Sequence, residues 1–68
     1  MKFEDFGLNV AKYRNKAWLS AYELSLRLGK DSSYVSKLEN GRINVSLKII
    51  IAISEILKVK VEKLFEEN

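Results

Sequence analysis

The residues best able to do chemistry in this 68-residue chain lie between Lys30 and Asn44, in the string KDSSYVSKLENGRIN. Val35 and Leu38, three apart, mark the inner face of a short helix, which turns Ser32, Ser33, Ser36 and Lys37 outward. A lysine ammonium donates to guanine O6 and N7, whereas a serine hydroxyl bonds either way and discriminates weakly. A face that is short, polar and positive suits the major groove of duplex DNA. The same face also reads as ordinary solvated surface, and these residues alone do not separate the two.

Other chemistries are thinly supplied. With no His and no Cys, imidazole and thiolate metal ligands are missing, and so is catalysis by either side chain. Glu62, Glu66 and Glu67 crowd the chain's end without implying a convergent pocket. No enzyme activity, cofactor or metal is expected. Lys and Arg number 12 against 9 Asp and Glu, a net charge of +3 that tilts toward polyanions. The distribution says more: Arg27, Lys30, Lys37, Arg42 and Lys48 face only Asp31 and Glu39 in that stretch, while Glu55 to Asn68 is slightly acidic. The longest strongly apolar triplet is Ile49-Ile50-Ile51, far short of a membrane span, and MKFEDF lacks an apolar signal core. A cytoplasmic protein is expected, and the missing Cys fits a reducing compartment.

Five helices should position the polar string. Phe3, Phe6, Val10 and Tyr13 recur at helical spacing and predict a first helix over Phe3 to Lys16, with Lys12 and Lys16 near its negative end. Ser20 caps a second helix, Ala21 to Leu28, and Glu23 completes a capping box by reaching back to the Ser20 amide. Leu24 and Leu28 share its inner face. Gly29 is the residue expected where a helix ends with positive φ, and Asp31 caps a third helix, Ser32 to Asn40. Two helices joined so tightly must cross steeply, as in a helix-turn-helix. After a polar loop, Ser46 caps a fourth helix, Leu47 to Leu57, and a short fifth helix spans Val61 to Glu66. The expectation is an all-α, compact bundle in a single domain, 1–68, with almost no strand. So small a core gains from oligomerisation.

The fourth helix is too apolar for one buried face. Leu47, Ile50, Ile51, Ser54 and Leu57 read as its core stripe, and Ile49, Ala52, Ile53 and Ile56 as a second one. The surplus residues Ile49, Ala52 and Ile56, joined by Val61 and Phe65, are the expected homodimer interface. Trp18, Tyr22 and Leu26 form a smaller apolar cluster that can mark a protein partner.

The string SYVSKLENG, Ser33 to Gly41, resembles the XRE family, the phage Cro and repressor-like helix-turn-helix proteins. The likeness extends over most of the chain: Phe6, Gly7, Asn9, Val10 and Arg14, then Leu19-Ser20 and Glu23-Leu24, then Asn44 and Ser46-Leu47, then Val59, Val61 and Leu64-Phe65. It implies a lambda-repressor-like DNA-binding domain that regulates transcription, with double-stranded DNA as partner and a homodimer on a palindromic operator. By the same likeness, Ser32, Ser33, Ser36 and Lys37 face base edges. Ser20, Lys30, Tyr34, Asn40, Arg42 and Asn44 become phosphate contacts, and Arg14 and Glu39 an ion pair supporting the site. A protein-interaction module with the same fold, such as an antitoxin, is the competing implication.

The chain departs from the family at four places. Ala21 stands where Gln often braces a phosphate, which shifts weight to backbone contacts and DNA shape. Position 45 is not Pro. Trp18 stands at a helix-ending Gly, and since Trp takes positive φ only at a cost, that link is expected to be built differently. Lys58 replaces another such Gly, where a left-handed Lys would cost about 1 kcal/mol.

Overall fold

A computed structural model describes residues 3 to 67; Met1, Lys2 and Asn68, which the single-domain reading includes, lie outside the described residues. The helices run α1 (Phe3–Lys16), α2 (Ala21–Arg27), α3 (Tyr34–Glu39), α4 (Leu47–Leu57) and α5 (Val61–Leu64), with no strand among the described residues. The predicted order is confirmed, with four shorter ends. The fifth helix stops at Leu64 rather than Glu66, the second at Arg27 rather than Leu28, and the third runs from Tyr34 to Glu39 rather than from Ser32 to Asn40.

Polar caps start the helices as their sequences require. Ser20 Oγ accepts from the Glu23 amide at 2.9 Å, and Ser46 Oγ accepts from the Ile49 amide at 3.2 Å. The reciprocal half of the capping box does not form. The Glu23 carboxylate turns instead to Arg27, 3.5 Å away and one turn on, a pair this exposed adding little stability.

Four helices end in one way. A residue with left-handed backbone follows the helix, at Trp18, Gly29, Gly41 and Lys58, with φ between 57° and 72°. In each case two amides fold back on the last turn. After α1, Trp18 N–H reaches Asn15 O at 3.1 Å and Leu19 N–H reaches Arg14 O at 3.2 Å; after α3, Gly41 reaches Leu38 and Arg42 reaches Lys37. This double bond answers the orphan carbonyls of a helix end, and it favours glycine because any Cβ crowds the carbonyl. The expectation of a differently built first link is therefore corrected: Trp18 adopts the turn of a glycine. Arg14 explains how the turn is held, since its Nη1 donates to Leu19 O at 2.9 Å while its own carbonyl accepts the Leu19 amide. The Trp18 side chain is 94% exposed, so no packing repays the backbone cost. Trp18→Gly is expected to stabilise the fold by about 1 kcal/mol and raise its melting temperature by about 4–8 °C. A lower melting temperature would show that the indole packs somewhere after all.

Helix α1 is the hub. It approaches all four other helices, α2 and α3 approach each other, and α4 approaches α5. No backbone approach joins α2 or α3 to α4 or α5. Phe6 and Val10 from α1, Leu24, Val35, Leu38, Ile50, Ile53, Leu57 and Leu64 make the buried core. Gly7 lets α1 lie against the end of α3, since a Cβ there would stand 2.7 Å from the Glu39 carbonyl oxygen and 3.0 Å from that of Leu38. At the far side, the buried Asn9 amide donates to Leu64 O at 3.1 Å and Glu66 O at 2.7 Å, tying the end of α5 to α1. Phe65 completes that seam by stacking on Phe6, with ring centroids 5.0 Å apart.

The stripes of α4 require correction. Ile50, Ile53, Ser54 and Leu57 are its buried residues, whereas Leu47 and Ile51 are 68% and 43% exposed. Ile53 thus belongs to the core, and Leu47 and Ile51 stand outside it. Ile49, Ala52 and Ile56 lie half-buried on the opposite flank, as do Val61 and Phe65 on α5 and its end. A helix apolar on nearly every side gives its spacing no contrast from which to choose the inward face.

Candidate nucleic-acid interface

The polar string folds into α3 and its two flanking turns. Val35 is fully buried and Leu38 nearly so, while Ser32, Ser33, Ser36 and Lys37 are exposed on the outer side, as their spacing requires. The start of α3 differs from the expected simple cap. Asp31 Oδ1 accepts from the Ser33 amide at 3.0 Å and from the Ser33 hydroxyl at 2.7 Å, so Asp31 closes a tight turn ahead of the helix. These two bonds, the hydroxyl first, hold the Asp31 carboxyl below its ordinary range. The Ser33 hydroxyl is thereby a spent donor. Ser32, Ser36 and Lys37 keep their side-chain donors uncommitted on the outer face.

The end of α3 carries the loop residues. Asn40 Nδ2 donates to Ser36 O at 2.8 Å, which leaves one of its two N–H groups for another acceptor. Gly41 turns the chain, and Arg42 and Asn44 project from the loop, both exposed. Ahead of α3, Lys30 Nζ lies over the Tyr34 ring at 5.4 Å from its centroid, and partial burial pushes the Tyr34 hydroxyl up from its ordinary value. The phenol stays protonated and able to donate. Ser20, at the start of α2, is exposed, with its oxygen already accepting from Glu23.

Arg14 and Glu39 meet as the family likeness implied. Arg14 Nε and Nη2 reach the two Glu39 oxygens at 2.7 and 3.1 Å in a forked pair, with side chains 14% and 13% exposed. The hydrogen bond to Glu39 is the main reason the Arg14 guanidinium is held above its ordinary pKa; burial works against it and the Glu39 charge adds to it. One arginine therefore fixes both the turn after α1 and the end of α3. Two ties to α3 carried no signal of this role in the sequence, the Gly7 approach and Ser25, whose buried hydroxyl accepts from the Val35 amide at 3.0 Å, and neither did the Arg14 bond to Leu19 O that holds the turn after α1. Ser25 carried no signal beyond its place beside Leu24 on the inner side of α2.

Two short helices in contact across a tight turn, the second presenting a polar, positive outer face, define a helix-turn-helix DNA-binding regulator. The comparisons agree. The helix-turn-helix family profile matches residues 10–64, and the chain belongs to that family, in its XRE-type branch. Its fold is similar to the crystal structure of the restriction-modification controller protein C.AhdI from Aeromonas hydrophila, with 33% identity, a TM-score of 0.84, and coverage of 93% of this chain and 96% of that one. No curated protein sequence matches the chain significantly. Among the described residues, no helix is long and apolar enough to cross a membrane, and no group of three or more Asp or Glu stands in a metal-binding arrangement.

Proposed function

We propose that the chain is a sequence-specific regulator of transcription that works in the cytoplasm, folded as one domain and bound as a homodimer to a palindromic operator in double-stranded DNA. The observation that carries this reading is the state of α3. Its inner face is buried, its far end is braced by the Arg14–Glu39 fork, and Ser32, Ser33, Ser36 and Lys37 remain uncovered. Ser36 and Lys37 read base edges, with Ser32 and Ser33 beside them, while Arg42, Asn44, Asn40, Ser20, Lys30 and Tyr34 meet phosphates. The likeness to a protein described as a restriction-modification controller favours regulation as the outcome.

One short recognition helix buries little surface, so useful affinity calls for two copies spaced about one helical turn apart. The α4–α5 side supplies the interface, since α3 is committed to DNA. Ile49, Ala52, Ile56, Val61 and Phe65 keep part of their surface there, and Leu47 and Ile51 keep more on the other flank of α4. Selection of bound duplexes from a random pool is expected to return inverted repeats. Ile51→Lys and Ile56→Lys separate the flanks: the one at the interface sediments as a folded monomer and no longer selects a repeat. If the wild-type protein prefers no duplex at low salt, the DNA reading is lost.

A second reading has its own observation. Trp18, in the turn before α2, and Tyr22 and Leu26 on α2 are 94%, 59% and 49% exposed, which suits a protein-interaction module. Tight stoichiometric capture of a protein by a chain that ignores DNA would favour it.

A further inference from the structure

The start of α3 has no cap of its own on the helix. Ser33, at the capping position, makes no side-chain bond to the helix amides. Asp31 answers the Ser33 amide through its side chain and the Tyr34 amide through its carbonyl, at 3.0 and 3.1 Å. Both bonds are local and exposed, and they would travel with α3 wherever it went. The next amide, Val35 N–H, is answered from another helix. Ser25 Oγ accepts it at 3.0 Å across ten residues of sequence, and donates its own proton to Ala21 O at 2.8 Å. The Ser25 side chain has no exposed surface. Its hydroxyl proton is thus fixed on α2, and its lone pair is aimed at α3.

We propose that Ser25 is a positioning residue for base reading. Its buried hydroxyl sets where the first turn of α3 stands relative to α2, and so where Ser36 and Lys37, the next two residues, meet the groove. The proposal rests on the DNA reading above and adds to it the part that fixes the helix. Hydrophobic contact alone does not supply this. Val35 and Leu38 bury equally well after a small slide or rotation of α3, whereas a hydrogen bond has a length and a direction. An unpaired buried amide would make the helix drift to find water.

The test compares Ser25→Ala and Ser25→Cys with wild type. Cysteine keeps nearly the same shape but accepts weakly, so it serves if the alanine variant does not fold. Ile53→Val controls for lost stability, because α4 makes no backbone approach to α3. Binding is measured to a selected duplex and to an unrelated duplex under conditions where every variant is folded, together with hydrogen exchange at the Val35 amide. Removing the hydroxyl is expected to cost about tenfold or more in affinity for the selected duplex, with the unrelated duplex held within about twofold. Val35 exchange should speed up relative to Leu38, with Ser25→Cys intermediate and Ile53→Val unchanged in its ratio of specific to non-specific binding. A Ser25 variant that folds and keeps the wild-type ratio overturns the proposal and leaves the DNA reading standing. A wild-type protein with no duplex preference overturns the DNA reading and this proposal together.

Discussion

Glu39→Ala is expected to lower the melting temperature by about 12–24 °C, a large part of the stability of so small a domain. Stranding one partner of a mostly buried charge pair costs about 3 kcal/mol or more, and for a chain of this size each kcal/mol moves the midpoint by about 4–8 °C. Arg14 would keep Leu19 O and the Asn15 side chain, at 2.9 and 3.3 Å, but lose both of its bonds to Glu39. Removing both charges, as Arg14→Met with Glu39→Leu, is expected to hurt less than removing Glu39 alone, because no charge is left behind. A double-mutant cycle in denaturant melts measures this, and additive losses would show that the pair does not interact. The pH dependence has a definite sign. A guanidinium raised above its ordinary pKa gives stability that is fully present below that value and lost only as pH rises through the still higher folded one. Titration of Arg14 therefore leaves the stability near neutral pH flat.

Duplex affinity is expected to fall by about four to five powers of ten for a tenfold rise in salt. This follows from about five phosphates neutralised by cationic side chains per dimer, with Lys30 and Arg42 of each subunit supplying four, since neutral contacts release no counterions. Arg42→Ala removes one exposed contact from each subunit, so it should weaken all sequences alike and flatten the salt slope by about two. Lys37 stands on the outer face of α3 instead. Its replacement by alanine should change which sequence is preferred and leave more of the slope intact. Equal effects of the two changes across a panel of sites would contradict the division of roles.

Local signals carried much of the fold into view. The spacing of Val35 and Leu38 gave the inner side of α3, and Ser20 and Ser46 marked two helix starts by chemistry that works within three residues. The Arg14–Glu39 fork came from the family likeness, since nothing in the composition joins residues 25 apart. What stayed hidden was decided by packing. Helix α4 is apolar around most of its circumference, so only its neighbours choose between Ile53 and Ile51. Trp18 was misread because the cost of its backbone was visible and the two bonds from Arg14 that offset it were not. A serine beside Leu24 looks like any helix serine until Val35 is placed above it, and Gly7 looks incidental until the α3 carbonyls arrive.

The seam between α1 and the end of α5 sets a condition on how the molecule can come into being. Asn9 bonds to carbonyls 55 and 57 residues further along, and Phe6 stacks on Phe65. The hub of the fold, made first, is thus finished by α5, the last of the five described helices. Closing so large a fraction of the chain carries its loop entropy up front and returns contacts only afterwards. During synthesis, α2 and α3 can form their turn early and rest on α1, while the other side of α1 stays uncovered until the chain beyond Leu64 has emerged. The side of α1 turned to α5 is thus the last part of the core to close, and α3 stands on a helix whose far face is sealed only then.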